Sequence, residues 1–156
     1  MSEAIKAILQ TQWSLSLDTP LGSGRDGDVY VSHRNTAVKI FTAEETFARE
    51  LKAYEKLSRL SIRKVAGHAV PQLMRASLEL KAIEMTLVKP PFLLDFASAY
   101  PTSQVPDFPE DVWQDWHQQK QEEFGDRWPD VQFVLSEFTR LTGLVILDTN
   151  CGNIRF

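Results

Sequence analysis

A glycine-rich stretch near the N-terminus constrains the fold of this chain more than any other feature. Residues 22–29 fit the pattern G-x-G-x-x-G-x-V at every fixed place, with Gly22, Gly24, Gly27 and Val29. Glycine has no Cβ, so backbone N–H groups in such a turn can approach phosphate oxygens closely. An ordinary hairpin rich in glycine and aspartate would show the same residues. The stretch therefore predicts a turn between two antiparallel strands, and it indicates a phosphate-binding loop.

A lysine follows at short range and strengthens this interpretation. Lys39 lies in residues 36–41, whose β-branched and aromatic side chains predict a strand. On a strand beside the turn, its ammonium group would add a compact positive charge to the same phosphate oxygens. Asp26 and Asp28 act against this, because carboxylates that face a phosphate repel it unless they point to solvent. The alternative for Lys39 is a surface lysine whose stem covers the sheet.

The first half of the chain predicts a five-stranded antiparallel sheet with one packed helix. The helix is expected to open with Thr42 as its N-cap and to end near Ile62, because apolar residues recur there every three to four positions. Residues 3–12 predict a further short helix or arm. Alternation and β-branched content place the strands at residues 13–17, 29–33, 36–41, 72–77 and 80–88.

Prolines mark the clearest internal boundary. Five of the eight prolines fall between residues 90 and 112, and proline cannot donate a hydrogen bond to a strand ladder. We therefore expect a sheet-and-helix part at 1–89, a hinge at 90–112 and a mainly helical part at 113–156. Gly125 and Gly143 are expected to end the two helices of the last part. Residues 153–156 suit a final strand.

Composition excludes several classes of protein. A chain of 156 residues that is 43% hydrophobic and 24% charged suits one globular domain. The net charge of −4 argues against nonspecific nucleic-acid binding, and no apolar run is long enough to cross a membrane. Cys151 is the only cysteine and the three histidines lack ligand spacing, so a disulfide or zinc site is not expected. The N-terminus has no signal-peptide pattern, so we expect a cytoplasmic protein.

Three motifs in a fixed order make the chain resemble the protein-kinase-like superfamily. They are the glycine turn, Lys39, and Asp148 with Asn153 in the D-x-x-x-x-N spacing of a catalytic loop. An Asx-rich turn between short strands is the alternative for the last motif. The resemblance is to a small bacterial-type serine/threonine-kinase-like protein. It implies an α+β, protein-kinase-like fold: a five-stranded antiparallel sheet plus helix as the N-lobe, then a reduced, mainly helical C-terminal part.

The resemblance also implies a nucleotide site. The glycine turn and Val29 would cover ATP, and Lys39 would contact its α- and β-phosphates. Glu50 would pair with Lys39 from the first long helix, since it lies at the edge of the apolar face of that helix, and Glu55 is the second choice. The segment between the lobes would be residues 83–87: its backbone would bind the adenine edge, and its side chains, with Glu84 and Met85, would flank the ring.

For the reaction itself, the resemblance implies a role for each end of the catalytic-loop motif. Asp148 would orient the acceptor hydroxyl, and Asn153 would bind Mg²⁺. The residues Val145-Ile146-Leu147, however, stand where His-Arg usually precedes the aspartate. The Asp-Phe-Gly segment, the main magnesium anchor, is expected beyond Asn153 and is lacking there, as is most of the C-terminal lobe. Mg²⁺ is therefore expected to find a single matched ligand.

Two functions stay open on this basis. One is transfer of the γ-phosphoryl group of ATP to a protein serine or threonine. The other is that of a catalytically inactive pseudokinase that acts as a binding or regulatory module. The expected partners are a nucleotide and an unknown protein, with neither nucleic acid nor membrane, and the sequence leaves the oligomeric state open.

Overall fold

Helices cover both faces of a central β-sheet in the computed structural model, which describes residues 2–156. The α-helices of this range are α1 (Ser2–Trp13), α2 (Glu44–Arg59), α3 (Glu110–Phe124) and α4 (Trp128–Thr142). The strands are β1 (Thr19–Gly24), β2 (Gly27–Val31), β3 (Thr36–Phe41), β4 (Lys64–Val65), β5 (His68–Ala69), β6 (Leu73–Ser77), β7 (Ala82–Thr86), β8 (Phe92–Leu93), β9 (Ala99–Pro101), β10 (Leu144–Ile146) and β11 (Ile154–Arg155).

The main sheet has the predicted five antiparallel strands within residues 2–156, in the order β1-β2-β3-β7-β6. All six residues of β3 are buried. Successive side chains of a strand point to opposite faces, and both faces of β3 are covered by a core. Ala37 and Phe41 pack into the core beneath α2. Val38 and Ile40 pack on the other face, with Leu9 of α1. Lys39 therefore points to the α2 face.

The expected strand at 13–17 is wrong. α1 continues to Trp13 and β1 begins only at Thr19. Leu15 and Leu17 are both buried, which is why this stretch alternates like a strand. Two of its N–H groups bond to α1: Leu15 donates to the carbonyl oxygen of Gln10 at 3.1 Å, and Leu17 donates to the side-chain oxygen of Gln10 at 2.8 Å. The Ser16 N–H donates to the His33 side chain at 3.0 Å, and no strand ladder forms over the described residues 13–17.

The predicted helix cap at Thr42 is also wrong. The N-cap is Ala43, and its side chain makes no capping hydrogen bond. The Thr42 hydroxyl instead donates to the carbonyl oxygen of Arg25 at 3.0 Å, while the Thr42 N–H donates to that of Asp26 at 3.1 Å. Thr42 thus fastens the tip of the glycine turn to the start of α2, and α2 ends at Arg59 rather than near residue 62.

Two small sheets that the sequence patterns did not predict connect strands within residues 64–101 to strands within residues 144–155. β10 pairs antiparallel with β9, and β11 pairs antiparallel with β8, which also runs parallel to β5. β11 confirms the expected final strand. Because β8 and β9 lie within the proline-rich connection, this pairing brings residues 94–98 beside residues 147–153.

The helical part follows the prediction closely. α3 is followed by Gly125, and α4 ends at Gly143, whose φ of 71° lies in the left-handed region that favours glycine. Buried side chains of α4 pack into the same core as α2: Val131, Val134 and Phe138. No helix in the described range is both long and apolar enough to cross a membrane.

Candidate functional site

The glycine turn joins β1 to β2, and its glycines differ in what they face. At Gly27, whose φ is 152°, a Cβ would lie 2.0 Å from the carbonyl oxygen of Ile40, so only glycine fits. At Gly22 and Gly24 a Cβ would meet nothing within 4 Å, and both residues line a cavity of about 620 Å³. Gly27 therefore serves the packing of the hairpin on β3, while Gly22 and Gly24 border open space.

Asp26 and Asp28 in the glycine turn were expected to repel a phosphate unless their carboxylates point to solvent. The Asp28 carboxylate accepts a hydrogen bond from the Ser23 hydroxyl at 2.6 Å, and Asp28 does not line the cavity, whereas Asp26 does. Arg25 lines the same cavity. The turn thus presents one cation and one anion, together with the backbone of the glycines.

Lys39 and Glu50 form a buried ion pair beneath the turn. The distance from Lys39 Nζ to Glu50 Oε2 is 2.6 Å, and the two residues are 7% and 1% exposed. Burial raises the pKa of Glu50 to about 7, although the Lys39 ammonium opposes the shift. Burial also disfavours the Lys39 ammonium, but the attraction of Glu50 and Asp95 outweighs it and raises the pKa of Lys39. The predicted partner, Glu50 rather than Glu55, is the one in contact.

Asp95 is a member of the site that sequence reasoning missed. Its Oδ1 lies 3.4 Å from Lys39 Nζ, and its Oδ2 accepts a hydrogen bond from Asn153 Nδ2 at 3.3 Å. The sequence offered Asn153 as the single matched metal ligand, and the structure places the Asp95 carboxylate beside it. The signal was present in the residues Leu-Leu-Asp-Phe-Ala at 93–97, an apolar pair followed by Asp-Phe and a small residue.

Strand pairing explains how a residue so far ahead of Asn153 reaches it. β8 ends two residues before Asp95, and β11 begins directly after Asn153. The two strands are antiparallel, with Leu93 opposite Ile154. The Leu94 N–H also donates to the Asn153 carbonyl oxygen at 2.7 Å. This pairing places Asp95, from an earlier segment of the chain, beside Asn153.

The side chain after Asp95 fixes the segment in the core. Phe96 is fully buried. Its ring meets that of Tyr54 on α2 edge to face, with 5.2 Å between centroids, and stacks on that of Phe138 on α4 at 5.3 Å. Asp95 itself has a φ of 65°, and its Oδ1 accepts a hydrogen bond from the Ala97 N–H at 3.2 Å. The Asp95 carboxylate is thus held toward Lys39 by its neighbours.

Asp148 stands at the open side of the same cavity. Its side chain is 67% exposed. Its backbone is tied to Ser98, whose hydroxyl accepts from the Asp148 N–H at 2.9 Å and donates to the Asp148 carbonyl oxygen at 3.1 Å. Lys120 of α3 lies 4.0 Å from Asp148 Oδ1. Lys39, Asp95, Asp148 and Asn153 all line this cavity.

A second cavity of about 620 Å³ adjoins the first and is more apolar in its lining. Its walls include Met85 and Leu87, with Tyr54 and Glu50 at its inner end. Both cavities share Gly22, Val29, Lys39, Asp95 and Asn153. The two therefore form adjoining compartments around one set of polar groups.

Glu84 does not face either cavity. Its buried carboxylate accepts hydrogen bonds from the Thr36 hydroxyl at 2.6 Å and from Arg75 Nε at 2.5 Å. Glu84 and Met85 are neighbours on β7, so their side chains point to opposite faces, and only Met85 lines the apolar compartment. The expectation that the Glu84 side chain flanks a base is wrong.

Leu87 and Val88 follow β7 at the mouth of the apolar compartment. Within residues 2–156, their backbone groups make no hydrogen bond to another backbone group. These N–H and C=O groups are thus available at the wall of the cavity.

Comparisons with known proteins identify the fold. No family model matches the chain, and no curated protein matches it significantly. Among solved structures, the chain is similar to APH(2")-IIa in complex with gentamicin, with a TM-score of 0.50 at 15% identity, over 97% of this chain and 42% of that one. This likeness shows a protein-kinase-like fold, which aminoglycoside phosphotransferases have.

Further solved structures have lower scores. The ternary complex of APH(2")-IIa with streptomycin and ATP gives a TM-score of 0.44 at 21% identity, over 57% of this chain and 29% of that one. ADP-bound aminoglycoside phosphotransferase APH(2'')-Ib gives 0.45 at 15% identity, over 85% and 53%. The chain thus spans between 29% and 53% of the lengths of these structures.

Proposed function

We propose that this chain binds ATP beneath the glycine turn and transfers its γ-phosphoryl group to an acceptor hydroxyl. The observation that supports this most is that Lys39, Asp95, Asp148 and Asn153, from distant parts of the chain, line one cavity. Phosphoryl transfer needs a cation at the phosphates, oxygen ligands for a metal ion and a carboxylate that orients the acceptor. These side chains supply each of the three.

The nucleotide would occupy both compartments. Its phosphates would lie under Gly22 and Gly24, where the backbone borders open space, and against the Lys39 ammonium. Its base would fill the apolar compartment between Val29 and Met85. The backbone groups of Leu87, the last residue of the segment expected to bind the adenine edge, and of the adjoining Val88 would bind that edge. Glu50 would hold the Lys39 ammonium in place through its hydrogen bond of 2.6 Å.

The residues also fit a magnesium ion. Mg²⁺ prefers oxygen ligands and is bound through one or two carboxylates together with substrate phosphates. The Asp95 carboxylate and the Asn153 side-chain oxygen would hold it, since the two side chains are hydrogen-bonded and line the phosphate cavity. No cluster of three or more His, Cys, Asp or Glu that could hold a metal by itself occurs among residues 2–156. When bound, the ion would neutralise charge on the transferring phosphoryl group.

Asp148 would orient the acceptor hydroxyl and take its hydrogen bond. Ser98 fixes the backbone of Asp148 on one side, and the exposed carboxylate faces the cavity, where a large acceptor can reach it. We propose a protein serine or threonine as the acceptor. Gentamicin, which is bound in the similar structure, serves as the small-molecule alternative in the test.

A second candidate is a regulatory module that binds nucleotide without turnover. The observation that favours it is the apolar run Val145-Ile146-Leu147 directly before Asp148, where a kinase loop carries His-Arg. In this structure Val145 and Ile146 belong to β10. The two candidates differ in turnover rather than in nucleotide binding.

Calorimetric titration with ATP, with and without Mg²⁺, tests the proposal. We expect ATP to bind and Mg²⁺ to strengthen the binding, while Asp95→Asn loses ~10-fold or more of that strengthening. Asp148→Asn should keep the ATP affinity and lower phosphoryl transfer by ~100-fold or more. Asp107→Asn, in the exposed connection, is the matched control.

Three outcomes separate the candidates. Phosphoryl transfer to a protein mixture or to gentamicin that depends on Asp148 supports the enzyme and names the acceptor class. Binding of ATP without transfer to either supports the regulatory module. No heat at millimolar ATP contradicts both.

A further inference from the structure

Helix α3 buries a lysine and leaves its other side chains at least partly exposed. Lys120 is 8% exposed and is the one buried residue among residues 110–124. An ammonium group is costly to remove from water unless charged or polar partners compensate it. The partners of Lys120 therefore indicate why this helix, whose Trp116 and Phe124 pack only partly buried against the core, turns a charge inward.

Those partners belong to the loop that carries Asp148. Lys120 Nζ donates a hydrogen bond to the Thr149 carbonyl oxygen and lies 4.0 Å from Asp148 Oδ1. It also lies 3.1 Å from Oε2 of Glu123, one turn along α3. The other carboxylate oxygen of Glu123 accepts from the Cys151 N–H at 3.0 Å. Two side chains of one helix thus bind residues 148–151.

The rest of the molecule leaves the Asp148 side chain unsupported. The contacts with Ser98 hold only the backbone of Asp148, and its side chain is 67% exposed. Within the described residues, Lys120 is the single ion-pair partner of this carboxylate. An exposed carboxylate without a fixed partner would sample several rotamers, and most of these would not face an acceptor.

We propose that Lys120 is a positioning residue for Asp148, acting with Glu123 as a clamp on residues 148–151. This rests on the proposed phosphoryl transfer. Lys120 lines neither cavity, so it acts through the loop rather than on nucleotide or acceptor. Its hydrogen bond to Thr149 fixes the peptide that follows Asp148, and its charge draws the carboxylate toward one orientation.

The test compares Lys120→Met and Lys120→Arg with the wild type. In Lys120→Met we expect kcat to fall ~10- to 100-fold while KM for ATP stays within about twofold, because the groups that hold the nucleotide are untouched. Lys120→Arg should recover much of kcat, since a guanidinium keeps the charge and the donors. Lys52→Met, an exposed lysine of α2, removes the same charge elsewhere and should match the wild type.

Hydrogen exchange gives a readout that does not need activity. Lys120→Met should speed amide exchange in peptides that span residues 148–153 by roughly tenfold, with exchange in β3 and α2 unchanged. If Lys120→Met shows this faster exchange while the wild type transfers no phosphate, the clamp is supported and the proposed function is contradicted. If Lys120→Met does not fold, Glu123→Gln replaces it, with the same expected fall in kcat.

Three results would overturn the proposal. The first is a Lys120→Met protein with wild-type kcat in an active enzyme, whatever its exchange rates. The second is unchanged exchange in residues 148–153, which would show that the loop keeps its structure without Lys120. A rise in KM for ATP equal to the loss in kcat/KM would likewise contradict a positioning role, since it would place the effect on nucleotide binding.

Discussion

At the scale of single residues, the buried Glu50 carboxyl group couples the phosphate site to pH. Glu50 is 1% exposed and accepts a hydrogen bond from the Lys39 ammonium. The same ammonium lies 3.4 Å from the carboxylate of Asp95. Burial raises its pKa from 4.5 to about 7. The folded chain therefore binds more protons at this position than the unfolded chain does between those two values.

The raised pKa of Glu50 predicts that the free energy of unfolding falls as the pH rises. The contribution of Glu50 to the free energy of unfolding is fully present below pH 4.5 and is lost as the pH rises toward 7. The total loss is roughly 3 kcal/mol. Glu50→Gln should lack this dependence, because an amide does not titrate. Urea unfolding of both proteins across this pH range measures it, with the exposed Glu55→Gln as the control.

A comparison of the two stability profiles would contradict this prediction in one case. If wild type and Glu50→Gln lose stability in parallel between pH 4.5 and 7, the Glu50 carboxyl group titrates in the folded chain as it does in the unfolded chain. The ion pair with Lys39 would then compensate the burial in full.

The residue scale also shows why Glu50 was found from the sequence and Asp95 was not. Glu50 sits on a long amphipathic helix, where the apolar positions Phe47, Leu51 and Tyr54 define the buried face. Asp95 sits after a strand of two residues, where no periodicity can form. Its position follows only from which strand β8 pairs with.

At the scale of elements, Phe96 connects the Asp95 segment to both helical layers. Its ring lies between Tyr54 of α2 and Phe138 of α4. α2 carries Glu50, so the same ring contact links the position of Glu50 with that of Asp95.

We expect Phe96→Ala to lower the free energy of unfolding by about 3–5 kcal/mol, because it leaves a cavity between α2 and α4. Phe96→Leu should cost less, since it fills part of that space. Phe133→Ala, whose ring is 59% exposed on α4, should stay within about 0.5 kcal/mol of wild type. Urea denaturation compares the three variants, and equal losses for Phe96→Ala and Phe133→Ala would show that Phe96 does not bridge the helices.

At the scale of the whole molecule, the residues of the site come from three separate parts of the chain. Lys39 comes first, Asp95 second, and the loop with Asp148 and Asn153 last. The exposed connection at residues 102–109 lies between the second and third of these. The small sheets and the contact of Phe96 with Phe138 span that connection. The site is therefore complete only when both halves are docked.

We expect the two halves to stay associated when this connection is cut. A specific protease site inserted after Asp107 should be tolerated, because the residues around it are exposed. After cleavage, fragments 1–107 and 108–156 should elute together in size-exclusion chromatography, held by β9 with β10 and β8 with β11. Fragments that separate without denaturant would show that the proline-rich connection itself holds the halves together.

The sequence by itself determined the local elements of this protein: the glycine turn, strands β2, β3, β6 and β7 of the main sheet and the helices α2 to α4. Each depends on periodicity, turn residues or neighbours close along the chain. Only the tertiary structure decided that Thr42 binds the glycine turn, that Glu84 faces away from the cavities and that Asp95 meets Asn153. The first two depend on contacts between residues distant in the sequence, which no local pattern predicts. The third depends on the pairing of β8 with β11, strands of two residues that are too short to show a pattern and acquire their register only when the core forms.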